Sequence, residues 1–467
     1  MKMVLGLVAA LGLAAQAAAP APPQLTLTTD WAEEETAVVE GPAPHFRWVV
    51  PPLATRGHGV TQASYRVQVR RVDGGGGNVT AAAWDSGVVS SNASGATYPA
   101  TAPALRADSA YRLLVQATLS DGSALTGAGG FKTGLQSASR SAWGGAEWIA
   151  GNAKVPATAA MRRNNLRAEW VLEGSPSDAS AFVAGVGYHE LFCNGERQGN
   201  PNAKLQPGFT HYEKRTYYVL YSLSACLKKG KNVLGVSLGN GWYSQGVAGS
   251  KHTAGGSQMP HARASPPQLL LRARATVGSK DELLVSSTAW QAASGPIIED
   301  SLYNGEVYDA RRELIDAQRR HFSHPDYALA AGQWAPVSLG KAMPSSVQLV
   351  PQLMPPIQTL RRLSAAKITS PEPGIHVVDF AQNTAAIIRM RIPKMGRGTN
   401  LTIRHGELLN HPPYGPDDGR IYTDNLRNAL ARDVYISSGA EADGAEWEPT
   451  FTRRIVMLSR FACCPSR

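Results

Sequence analysis

The sequence predicts an all-β chain of tandem β-sandwich domains, and three observations carry that prediction. Short runs rich in β-branched and aromatic residues recur between turn residues, among them Phe182–Val186, Thr216–Leu223 and Val233–Leu238. Asn194-Gly195 follows an apolar run and supplies two residues that tolerate positive φ, which a tight type I′ hairpin needs; Asn240-Gly241 repeats the dipeptide. The 46 Gly and 31 Pro suit turn-rich β domains and work against long helices. On these grounds alone, Phe182 to Tyr243 reads as an antiparallel sandwich or jelly roll.

A chain of 467 residues has room for about three domains at roughly 150 residues each. Residues 1–20 read as a secretory signal: Lys2, an uncharged apolar run to about Ala14, then Ala15-Gln16-Ala17 as a cleavage signature. That run falls short of the roughly 20 residues that span a bilayer, and no later segment is a candidate span. The expectation is therefore a secreted, extracytoplasmic protein with no membrane partner.

The first domain, 21–147, alternates over Phe46–Val49 and Ser64–Val69, closes a strand at Trp84-Asp85-Ser86-Gly87 and ends on strands at Tyr111–Val115 and Phe131. Gly74–Gly77 reads as a hairpin tip, because a phosphate loop would need a helix pattern after it. The second domain, 148–343, holds the Phe182–Tyr243 stretch and adds strands at Leu269–Val277, Leu283–Trp290 and Gly305–Arg311. Within it, 246–267 reads as a mobile Gly/Ser/His/Pro-rich loop. Residues 344–356 form a proline-bearing linker. The third domain, 357–452, has strand-like runs at His376–Asn383, Ile387–Ile392, Leu401–Leu409, Asn425–Tyr435 and Trp447–Phe451. An atypical tail, 453–467, follows, in which Ile455–Leu458 could form a strand.

Composition excludes some function classes. The net charge of +10 comes from dispersed basic residues, four of them in the tail (Arg453, Arg454, Arg460, Arg467), and no aromatic platform is interleaved with basic runs. A nucleic-acid partner is not expected. The four cysteines fit no metal spacing; Cys193 and Cys226 share a domain and could pair in an oxidising compartment, whereas Cys463 and Cys464 are adjacent. Asn78, Asn92 and Asn400 head glycosylation sequons, a pattern common by chance. Nothing in the sequence sets an oligomeric state.

A family resemblance rests on ordered phrases. Gly187-Tyr188, Asn194-Gly195, Pro207-Gly208, Tyr212, Arg215, Tyr217, Gly230, Asn232 and Leu238-Gly239-Asn240-Gly241-Trp242-Tyr243 resemble the N-terminal sandwich of bacterial-type α-L-rhamnosidases, as do Gly295-Pro296-Ile297 and Tyr303–Arg311. The Tyr65-Arg66-Val67 strand, Trp84–Gly87 and Phe131–Leu135 resemble the family's fibronectin-like front module, and 357–452 its concanavalin-like sandwich, with Ala381 and Ala386 where the family usually has glycines. The resemblance implies an inverting glycosidase acting on terminal α-L-rhamnose of glycosides or polysaccharides, without a cofactor, whose carboxylates sit in an (α/α) barrel. After Glu448–Thr452 the family continues into that barrel; here the run Arg453–Arg467 stands instead, so the expectation is a shortened, inactive product lacking the barrel. No catalytic residue carries over.

The remaining candidates have local explanations. Glycoside hydrolysis needs two opposed carboxyl groups, and Glu299-Asp300, Glu306 with Asp309, and Glu407 near Asp379 are available; each also reads as a turn cap or strand edge. His405 and Glu407 share a strand face and, with His411, could suggest a metal, but Pro412-Pro413 and the lack of supporting residues argue for none. Gly235-Val-Ser237-Leu-Gly239 matches a nucleophile-elbow pattern, yet Ser237 alternates within a strand and no helix follows. Trp242, Tyr243 and Tyr188 are the sugar-stacking candidates, each also fit to plug a core. The alternative function is a stand-alone secreted carbohydrate-binding sandwich protein.

Overall fold

Burial follows the two-residue period of the sequence. Ala110–Leu119 alternates inward and outward along its whole length, and His45–Val49 does the same. The computed structural model describes residues 24–30, 32–33, 37–52, 59–73, 78–137, 139–151, 163–244, 266–341, 346–352, 354–427, 429–452 and 454–464. The signal-like segment, the Gly74–Gly77 tip and all of the 246–267 loop up to residue 265 lie outside the described residues. Asp73 and Asn78, either side of that tip, pair across antiparallel strands.

The first sandwich lays a four-stranded sheet against a second one built on Gln62–Asp73, Ala110–Leu119 and Ala124–Thr133. Leu27, Phe46 and Trp48 from the first sheet meet Val67, Leu113 and Phe131 from the second in one core. Trp48 keeps its indole N–H satisfied there by donating to Gln62 Oε1 at 2.8 Å.

The second sandwich opposes a sheet ordered around Gln268–Val277, Asp178–Val186 and Arg215–Ser222 to one ordered around Tyr188–Cys193, Gly230–Gly239 and Asn165–Leu172. Asn194 (φ 51°) and Gly195 (φ 98°) make the expected two-residue hairpin, with Cys193 opposite Glu196. Asn194 does more than turn: its amide donates to Cys226 O (2.7 Å) and Asn232 Oδ1 (2.9 Å), while its oxygen accepts from Val233 N. The Cys193–Cys226 disulfide closes the same junction. Asn240-Gly241 does not repeat the hairpin. Only Gly241 takes positive φ, and Asn240 is spent on Asp300, whose carboxylate and carbonyl receive its two N–H groups.

Several expected strands find other places. Lys280–Val285 is a strand, but Ser287–Trp290 is a turn. Gln348–Pro351, read as linker, adds a parallel strand to Arg215–Ser222. Gly305–Asp309, read as part of the second domain, pairs in parallel with Arg432–Ile436 and brings Ile297–Ser301 with it into the third sheet. Within Asn425–Tyr435, Asp424–Leu426 is a 3-10 turn and the strand begins at Arg432. Ile387–Ile392 contributes only the short Met390–Arg391 strand, paired with Glu446–Trp447.

The third sandwich has a seven-stranded sheet in which Arg454–Cys464 runs between Asn400–Gly406 and Ile375–Ala386. The strand possible at Ile455–Leu458 of the tail is present and longer, over Arg454–Cys464: the Ile-Val-Met-Leu run favours extended backbone. Ile388, Ile392, Ile403, Tyr435 and Trp447 form the core beneath. Helix among the described residues amounts to the 3-10 turns Ala310–Arg312 and Asp424–Leu426; they include no helical barrel.

Candidate functional site

The three aromatic candidates separate on burial. Tyr243 is fully buried, packs edge-on against Tyr212 at 5.3 Å and accepts a hydrogen bond from Gln268 Nε2. Tyr188, 4% exposed, stacks on Phe451 of the third sandwich. Both serve packing. Trp242 alone keeps an exposed portion, in a row of edge-on rings with Phe209 (5.9 Å) and Tyr303 (5.8 Å), and Phe209 is itself 40% exposed.

Of the acids that might have formed a hydrolytic pair, Asp300 receives Asn240 of the second sandwich, and Glu306, Asp309 and Asp379 bond within the third. Glu306 has no exposed surface and accepts from the backbone N–H groups of Thr450 (2.8 Å) and Phe451 (2.9 Å). Burial, with Asp433 and Asp300 nearby, pushes its carboxyl well above the usual range. Asp433 accepts from Glu306 N at 2.8 Å and contacts His405 Nε2 at 2.8 Å. Asp309 pairs with Arg311, which holds it below the usual range against the opposing effect of burial. Glu299 is raised by burial, and Asp379 caps a turn through Ala381 N. His405, Glu407 and His411 do not gather: no group of three or more His, Cys, Asp or Glu able to hold a metal occurs among the described residues.

Ser237 lies mid-strand in Gly230–Gly239, so the elbow pattern has a packing origin. Gly235, Ser237 and Gly239 are two apart and share the outer face of their sheet. A Cβ on Gly235 would come within 2.8 Å of Phe322, and one on Gly239 within 2.4 Å of Phe451. The glycines let those two rings settle on the strand at either side of Ser237.

Between the rings is a cavity of about 330 Å³ at the junction of the second and third sandwiches. Its floor is a row across three strands, with Glu190 opposite Ser237 and Ser237 opposite Asn165. The other wall includes Glu313, His321, Phe322 and Phe451. Glu190 receives Arg197 Nε on one oxygen, and Glu313 receives the Tyr308 hydroxyl on one oxygen, both at 2.9 Å. The second oxygen of each carries no hydrogen bond among the described residues. Burial depresses His321 to about 4, so its ring is neutral at ordinary pH. Its Nδ1 meets Ser323 Oγ at 2.8 Å and Ser323 N at 3.4 Å, and Nε2 makes no hydrogen bond among the described residues. Sequence reasoning missed Glu190, Glu313 and His321, because no motif links residues this far apart; Ser237 in its small-residue pattern was the only signal.

Three family models match in order. They are described as "Rha78A-like, N-terminal immunoglobulin domain" over 27–137, "Alpha-L-rhamnosidase N-terminal domain" over 174–361, and "Bacterial alpha-L-rhamnosidase concanavalin-like domain" over 369–461. An α-L-rhamnosidase of Streptomyces avermitilis is 34% identical over 67% of this chain and 27% of its own length. One of Alteromonas sp. is 30% identical over 63% of the chain and 30% of its length. The chain thus spans less than a third of these curated relatives. The structure of α-L-rhamnosidase from Dictyoglumus thermophilum superposes with a TM-score of 0.74 at 27% identity, covering 94% of this chain and 47% of that one. That of the Streptomyces avermitilis enzyme complexed with L-rhamnose gives 0.76 at 22% identity, covering 96% and 56%, a likeness of fold. With three successive domains matched in the family's own order, the chain belongs to the α-L-rhamnosidase family and carries its N-terminal β domains.

Proposed function

We propose that this chain is the accessory β scaffold of an α-L-rhamnosidase and that it releases no rhamnose by itself. The observation that carries this reading is the match of three successive N-terminal β domains over less than a third of the relatives' length. The candidate acids Asp300, Glu306 and Asp309 are each tied to a backbone or side-chain partner. An inverting hydrolysis needs one carboxyl free to protonate the leaving oxygen and another free to activate water across the sugar. In the whole enzyme those groups belong to a helical barrel, and the substrate is a terminal α-L-rhamnose on a glycoside or polysaccharide. Secretion is part of the proposal, supported by the signal-like residues 1–20 and by a disulfide suited to an oxidising compartment.

The test is rhamnose release from an aryl α-L-rhamnoside by the purified chain. None is expected, and turnover above a buffer control overturns the inactivity. Sequencing the transcript past the codon for Thr452 tests the enzyme reading, which requires a barrel with two opposed carboxylates.

A second reading, a stand-alone carbohydrate-binding protein, draws support from the partly exposed Trp242 in its row of rings. Glycan-array binding weakened by Trp242→Ala would favour it; absence of binding to any glycan would count against it.

A further inference from the structure

We propose that the cavity between the second and third sandwiches is a binding subsite for one neutral, hydroxyl-rich sugar ring. Its volume of about 330 Å³ is at the small end of ligand pockets and suits a single ring rather than a chain. Its polar groups are mixed. The unused carboxylate oxygens of Glu190 and Glu313 accept, while the unused His321 Nε2 meets a hydroxyl in either role, according to which ring nitrogen holds the proton. Hydroxyl groups do both, so they satisfy such a set.

Other occupants fit less well. A metal ion needs converging ligands, and these acids and the histidine do not converge on one point. A carboxylate ligand would face two acids with no cation on the cavity wall, since Arg197 stands behind Glu190. The apolar half of the lining is also ring-shaped: Phe322 and Phe451 flank the floor at Ser237, where Gly235 and Gly239 let them in. Flat aromatic walls suit the C–H-rich edge of a sugar. The site uses both sandwiches, so an occupant would contact the second and third at once.

The proposal rests on the family reading only in taking L-rhamnose as the first probe. The experiment is calorimetric titration of the full chain with L-rhamnose, D-mannose, D-galactose and n-butylamine, in a chelator so that no metal contributes. Saturable binding of at least one sugar is expected, weakened about tenfold by Glu313→Gln through loss of a charge-assisted hydrogen bond. Ser237→Leu, which fills the floor, should abolish it. If the leucine variant fails to fold, judged by its thermal transition, Glu313→Gln and Glu190→Gln still decide. Binding unaffected by both glutamine variants overturns the proposal, as does binding lost only in Trp242→Ala, or binding of the amine alone. Failure of every sugar overturns it too and leaves the family reading intact, because that is judged by rhamnose release and transcript sequence.

Discussion

Tyr218 of the second sandwich donates its hydroxyl to Glu40 of the first at 2.7 Å, and Glu40 also accepts from Leu135 N. Burial raises the Glu40 carboxyl, while these donors oppose the rise. Tyr218→Phe removes one of the donors to a half-buried carboxylate. It should cost about 1–3 kcal/mol, read as a lower urea midpoint with an unchanged slope.

Asp108 makes a second link between these sandwiches, receiving Arg272 Nη1 at 2.9 Å and Arg274 Nε at 2.6 Å. All three groups are mostly buried, and removing Asp108 leaves Arg272 without a carboxylate, while Arg274 keeps Asp178 at 2.7 Å. Asp108→Ala should therefore cost about 3–5 kcal/mol. Limited proteolysis should then cut between the first two sandwiches at protease levels that leave the parent chain intact.

His189 is 2% exposed, contacts Tyr221 OH through Nε2 at 3.1 Å, and is depressed to about 3 by burial and, secondarily, by Arg197. Its unfolded value is near 6.5, so between pH 6.5 and 3 the unfolded chain binds the extra proton. Stability from this group is therefore intact above that window and is lost as pH falls through it. His189→Gln cannot titrate. Its stability–pH slope in the window should be shallower by about 1.4 kcal/mol per pH unit, measured by denaturant titration at several pH values.

Ala381 takes φ 55° at an irregularity in the Ile375–Ala386 strand, an exposed position. A side chain is disfavoured there, and glycine is not. Ala381→Gly should stabilise the chain by about 1 kcal/mol, less the entropy that glycine gains on unfolding. A higher thermal midpoint is the readout; a lower one would show that the local strand prefers the methyl group.

Face and turn were legible in the sequence because they are local. Period-two runs gave the buried faces of Phe46–Val49 and Ser64–Val69, and Asn194-Gly195 announced its hairpin through two residues that accept positive φ. Partnership was not legible. Alternation says which way Val307 points, but not that its strand lies beside Val434 in another sandwich. Asn240-Gly241 looks like Asn194-Gly195 and differs only because Asp300, distant in sequence, captures the asparagine. The cavity was hidden for the same reason. Its floor is three residues from three strands, and its far wall is a segment that follows a strand of the next sheet.

The passage of Ile297–Asp309 into the third sheet bears on how these modules are inherited and exchanged. A recombination point placed at the apparent seam near residue 343 would strand two β-strands on the wrong side and leave a raw hydrogen-bonding border on each product. Swaps between relatives should therefore succeed only when the two sandwiches travel as a single cassette, and an exchanged front module must bring its own matches for Tyr218 and for Arg272 and Arg274.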